Sequence, residues 1–143
     1  MADDDQDDTD LFCEALKGID SGIECHFAYS GKDALQKLQG GKIQPQVVFL
    51  DINMPEMNGW ECLDSLKKEE KLRDIPVIMY STSSMTLYGR KAIKSGAVGF
   101  YEKPGSFLQL KEFLEVIAGS SIGDLRTTLK GMQLSKSHAV YTE

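Results

Sequence analysis

Three short strand-like runs, residues 47–50, 76–80 and 99–102, alternate along this chain with stretches whose apolar residues recur at helical spacing. The first run, Val47-Val48-Phe49-Leu50, is unbroken apolar sequence, as expected of a strand covered on both faces. Residues 59–68 then carry Leu63 and Leu66 on one helical face, and residues 85–94 read as a helix stopped by Gly96. Ser106-Phe107-Leu108-Gln109 is a capping box, and Phe107, Leu110, Phe113, Leu114 and Ile117 give its helix an apolar side. Upstream, Leu11, Phe12, Ala15, Leu16 and Ile19 mark a helix with Asp8 or Thr9 as its cap. Residues 24–29 suit a strand, and Ser30-Gly31-Lys32-Asp33 opens a short helix through Leu38. Strands and helices in alternation build a parallel sheet with right-handed crossovers, an α/β architecture.

With 143 residues, the chain has enough sequence for one such domain, over residues 1–119. Residues 120–143 form a tail, read as mobile or as a short helix. Ile122, Leu125, Leu129 and Met132 share a helical face, but Gly123 and Gly131 weaken it. The net charge of −6 argues against a general nucleic-acid binder, and the tail lacks a helix-turn-helix pattern. No apolar run is long enough to span a membrane, and three widely spaced cysteines form no metal or disulfide pattern. A cytoplasmic protein with reduced thiols is the expectation.

The chemistry gathers at strand ends. Asp51 directly follows residues 47–50, at the carboxyl end where open α/β sheets place reactive groups. Asn53-Met54-Pro55 and Asn58-Gly59 form the turn after it. Ser81 ends the second run and begins a hydroxyl cluster with Thr82, Ser83 and Ser84. Lys103-Pro104 follows the third, and a cis bond there would aim the lysine. Six aspartates, including Asp3, Asp4 and Asp5, fall in the first ten residues.

In combination these residues resemble the receiver domain of bacterial two-component response regulators, over about residues 2–118 and in single-domain, chemotaxis-regulator-like form. The segment from Asp51 to Gly59 is similar to the family pattern Asp-x-x-Met-Pro-x-Met-x-Gly. The resemblance implies a flavodoxin-like doubly wound sheet of order 2-1-3-4-5, in which Asp51 is the phosphoacceptor. It implies Mg2+ bound by Asp3, Asp4, Asp51 and the backbone carbonyl of Asn53, although three consecutive aspartates leave the acidic pair's register open by one residue. Ser81 and Lys103 would contact the phosphoryl group, and Ser81 and Phe100 would act as switch residues. The donor would be a histidine kinase or phosphotransfer protein, and the chain would catalyse only its own modification. Replacing Lys103 by alanine would leave the fold and the metal site largely intact.

One departure is serious. The family has an apolar strand just before the acidic pair, and here only Met1-Ala2 precede it. That strand belongs inside the sheet, so its loss predicts a gap with unpaired edges and possible self-association. Ala139-Val140-Tyr141 is the one tail segment compatible with filling it. Two other readings stay open. One is a degenerate receiver that acts purely as a protein-binding module. The other is a haloacid-dehalogenase-type phosphatase, against which stands Asn53 where that class needs an aspartate.

Overall fold

The structure is a computed structural model that describes residues 1–20 and 22–143, with Ile122 described in its backbone only. Strands β1 (Val48–Leu50), β2 (Val77–Ser81) and β3 (Gly99–Glu102) pair in parallel in that order. Their side chains alternate between two cores, the period of two that a strand imposes. Val48, Leu50, Val77, Met79 and Phe100 enter the first. There they meet Ala34 and Leu38 of α2 (Gly31–Gln39), Leu63 and Leu66 of α3 (Gly59–Lys68) and Ala92 of α4 (Met85–Lys94). Phe49, Ile78, Tyr80 and Tyr101 enter the second. Phe12 and Ala15 of α1 (Gln6–Lys17) and Leu110, Phe113, Leu114 and Ile117 of α5 (Phe107–Ala118) line its other side. Tyr101 stacks on Phe113 with ring centroids 3.7 Å apart.

Local chemistry starts and stops these helices. The side chains of Ser30, Asn58 and Ser106 accept the backbone N–H of Asp33, Glu61 and Gln109, three N-caps that satisfy otherwise orphaned donors. Gly96 has φ +101°, the left-handed conformation expected just past a helix end. The cap of α1 is Asp5, not Asp8 or Thr9: its carboxylate accepts the N–H of Asp8 at 3.2 Å. Starting there places Asp7 and Asp8 in the first turn, where the helix dipole favours negative charge. No helix among the described residues is long and apolar enough to cross a membrane.

Two elements differ from the sequence reading. Residues 24–29 form no strand; only Ala28 makes a bridge. Ala2 bridges in parallel to Ala28 on one side and to Leu50 on the other. The Ala2 N–H donates to Phe49 O at 2.8 Å, and the Asp51 N–H donates to Ala2 O at 2.9 Å. The Asp3 N–H donates to Ala28 O, and the Ala28 N–H to Met1 O, each at 3.0 Å. Residues 1–3 thus take the carboxyl end of the central strand position, which anchors the acidic block. A cavity of about 900 Å³ lies between residues 23–28 and 43–49.

The tail is the second difference. A 3-10 turn (Ile122–Asp124) leads into α6 (Leu125–Ser135) and then β4 (Val140–Tyr141). Leu125, Leu129 and Met132 are buried, as their spacing predicts, whereas the side chain of Ile122 lies outside the described residues. The strand-compatible segment does not enter the gap. Instead β4 pairs antiparallel with β3, Val140 opposite Tyr101 and Tyr141 opposite Phe100. Two glycines make room for α6 and β4. A Cβ on Gly89 would lie 2.6 Å from Tyr141 Cγ, and one on Gly99 would lie 2.8 Å from Leu129 Cδ1. An otherwise open sheet edge is a ready template for such pairing.

Candidate functional site

Two separate segments carry carboxylates to the same end of the sheet. Asp51 leaves β1, and the loop behind it is held by Gly59, whose N–H donates to Ile52 O at 2.8 Å. A Cβ on Gly59 would lie 2.1 Å from the backbone oxygen of Asp51, so α3 can begin this close only with glycine there. Asp3 and Asp4 follow the short ladder of residues 1–3. Carboxylate oxygens of Asp3, Asp4 and Asp51 lie within 4.8 Å of one another. Asp3 is fully buried and Asp51 nearly so, whereas Asp4 is exposed. Asp5, committed to its helix cap, stands apart from this group.

Lys103 enters from the end of β3. Its ammonium donates to Asp3 Oδ2 at 2.6 Å and to Asp8 Oδ2 at 2.7 Å, and lies 3.6 Å from Asp51 Oδ2. Its side chain is only 8% exposed. Burial alone would lower the pKa of this lysine, but the bonds to Asp3 and Asp8 and the charge of Asp51 outweigh that and hold it above its usual value. The Lys103-Pro104 bond is trans, since no peptide among the described residues is cis. The ion pairs aim the lysine without that device. Asp8 is the member that sequence reasoning missed, having been considered only as a helix cap. No local sequence signal marks this contact, which spans 95 residues.

The other candidates sit close by. Ser81 is fully buried at the end of β2; its carbonyl accepts the Lys103 N–H at 2.8 Å and its hydroxyl accepts the Ser83 N–H at 3.2 Å. Phe100 is fully buried beneath α4, beside Tyr141 of β4. Asn53 is exposed in the turn after Asp51.

The pocket is rich in negative charge. Burial, and then the charge of Asp3, push Asp51 up to about 6, with Lys103 opposing. The donors are hard carboxylate oxygens, a set suited to a divalent ion such as Mg2+. A pH dependence follows. The unfolded carboxyl titrates near pH 4, so the folded protein binds the extra proton between about pH 4 and 6 and loses stability as pH rises through that window. With divalent ions chelated, Asp51→Asn should therefore stabilise the protein at pH 7, on the order of 2 kcal/mol, and hardly at all at pH 4. Urea melts at several pH values check this; a gain independent of pH would contradict the charge explanation.

Residues 1–115 match the family model of the response regulator receiver domain, and the chain belongs to that family. It is 34% identical over 107 residues to a chemotaxis protein CheY homolog of Campylobacter jejuni, a match that covers 75% of this chain and 79% of that protein. It is 37% identical over 91 residues to the probable methanogenesis regulatory protein FilR2 of Methanothrix harundinacea, covering 61% of this chain and 59% of that protein's length. The solved Mn2+-bound form of response regulator Rcp1 is similar with a TM-score of 0.70 at 25% identity, over 81% of this chain and 87% of that one. The chemotaxis response regulator CheY4 of Vibrio cholerae gives a TM-score of 0.68 at 26% identity, over 80% of this chain and 92% of that one. The chain is a phosphoacceptor response regulator of two-component signalling with the flavodoxin-like receiver fold, and its family sets aside the phosphatase reading. Receiver domains interact with histidine kinases or phosphotransfer proteins and bind Mg2+ or Mn2+ at an acidic pocket.

Proposed function

We propose that Asp51 is the residue that accepts the phosphoryl group, and that a histidine kinase or phosphotransfer protein donates it. The observation that carries this reading is the placement of Asp51. It is the buried carboxylate at a strand end that faces both an acidic pair and the ammonium of Lys103. A carboxylate oxygen of Asp51 attacks the phosphorus of a phosphohistidine. The P–O bond forms as the P–N bond breaks, and the imidazole leaves to take up a proton. Such transfer needs positioning and charge neutralisation more than covalent help.

Each neighbour has a part in this. Asp3, Asp4, Asp51 and the carbonyl of Asn53 would hold Mg2+, which when bound neutralises charge on the phosphoryl oxygens. Lys103 supplies a fixed positive charge to the same oxygens, and the Ser81 hydroxyl supplies a hydrogen bond. The backbone bond between Lys103 and Ser81 ties the two together. Phosphorylation adds charge at Asp51, draws Lys103 from its present partners, and shifts the end of β3 where Phe100 packs. The chain's catalysis extends to its own phosphorylation and dephosphorylation, and the output is a change in affinity for a downstream protein.

Acetyl phosphate with Mg2+ should give a phosphoryl adduct detectable by intact mass, and Asp51→Asn should abolish it. Undiminished labelling of the variant would refute the assignment. No labelling of the unsubstituted protein would favour a receiver that serves only as a binding module.

A further inference from the structure

Of the carboxylates around Lys103, Asp8 is the one without a part in metal binding or phosphoryl transfer. A lysine ammonium has three donors. This one gives a bond to Asp3 Oδ2 at 2.6 Å and another to Asp8 Oδ2 at 2.7 Å, whereas Asp51 Oδ2 stands at 3.6 Å, beyond a hydrogen bond. The ring of Tyr80, with its centroid 5.3 Å from the ammonium, closes a further side. The lysine at rest is therefore held by its two acidic partners and only approaches Asp51.

Those two partners differ. Asp3 is fully buried, and its Oδ1 accepts the Asp5 N–H at 2.9 Å. It also belongs, with Asp4 and Asp51, to the carboxylates that converge within 4.8 Å of one another and suit a divalent ion. Asp8 lies outside that group. Its side chain is partly exposed, and its carboxylate pairs with Lys103. The helix start fixes its place: Asp5 caps α1 and accepts the Asp8 N–H, while Thr9 and Phe12 are buried. On the other side of the lysine, Asp51 Oδ1 accepts the Ile52 N–H at 2.8 Å. That leaves Asp51 Oδ2, the oxygen facing Lys103, as the attacking atom.

We propose that Asp8 is a positioning residue: it holds Lys103 in the unphosphorylated protein and competes with the phosphoryl group for it, so that it slows phosphorylation of Asp51. This role rests on Asp51 as the acceptor. A phosphoryl group on Asp51 brings new anionic oxygens that must draw the ammonium from its present bonds. Asp3 would share its charge with a divalent ion, whereas Asp8 keeps a full claim on the lysine. The bond between Asp8 and Lys103 is thus the contact that phosphorylation has to overcome.

The test labels the 143-residue chain with acetyl phosphate at saturating Mg2+ and follows the adduct by intact mass. Asp51 Oδ2 forms the new P–O bond as the bond to the acetate oxygen breaks, and acetate leaves with that electron pair. Asp8→Asn should label at least about threefold faster, the scale of one partly exposed ion pair. Asp8→Glu keeps the charge and should label near the unsubstituted rate. Asp7→Asn removes the charge of an exposed neighbour in the same turn and should change the rate far less. Mg2+ affinity, titrated without a phosphodonor, should move the opposite way. It should weaken in Asp8→Asn, because the ammonium is then left to Asp3 and Asp51 and opposes the cation there. Damage to the pocket would lower rate and affinity together. Asp8 is refuted as the competitor if Asp8→Asn labels no faster, if Asp7→Asn speeds labelling as much, if Asp8→Glu labels as fast as Asp8→Asn, or if Mg2+ affinity is unchanged. An unsubstituted protein that takes no label would instead overturn Asp51 as the acceptor, and this role of Asp8 with it.

Discussion

Lys103→Ala should destabilise the protein by about 3–5 kcal/mol, the range seen when one partner of a buried ion pair is removed. The ammonium contacts Asp3, which is fully buried, and Asp8, and lies near Asp51. Without it those carboxylates repel one another in a poorly solvated pocket. The family resemblance implied that this substitution would spare the fold; the 8% exposure of the lysine side chain says otherwise. A double-mutant cycle with Asp3→Asn, measured by urea melts, separates the two effects. The doubly substituted protein should recover a substantial part of the loss. Additive costs would show that Lys103 stabilises through something other than Asp3. Any test of Lys103 in signalling has to be read against this loss of stability.

Ending the chain at Gly119 should be the second large effect. Leu125, Leu129, Met132 and Val140 are buried, worth about 1.5–3 kcal/mol each before the entropy of ordering the segment is set against them. Further bonds tie the tail down. The Glu102 N–H donates to Ala139 O at 2.9 Å, and the Thr142 hydroxyl donates to Val98 O at 2.8 Å. A net loss of roughly 3 kcal/mol should lower Tm by about 10 °C for a protein this size. It should also expose the edge of β3 and promote association. A shortened protein that melts with the full chain and stays monomeric by light scattering would show that the tail contributes little.

Much of the pocket was legible in the sequence because its members are placed by local rules. A strand run ends where Asp51 begins, Asn58 caps α3, and Gly59 allows the close approach behind Asp51. Ser81 and Lys103 stand at the ends of β2 and β3 for the same reason: parallel strands bring all their carboxyl ends to one side of the sheet. Apart from the cap of α1, which is Asp5 and not Asp8 or Thr9, helix starts followed from capping residues and apolar spacing, signals that act within a few residues of where they are written.

What the sequence could not supply were partners distant along the chain. Asp8 and Lys103 are 95 residues apart, and nothing local announces their contact. Residues 24–29 have strand chemistry, yet whether they join a ladder depends on what lies beside them. The tail's weak helix, interrupted by Gly131, forms because Leu129 and Met132 find a core to enter. Its short strand adds to β3 because that edge offers unpaired groups and Gly89 leaves room for Tyr141. Capping and periodicity are short-range and can be read from the chain. Pairing, burial and charge compensation are set by neighbours that only the folded structure brings together.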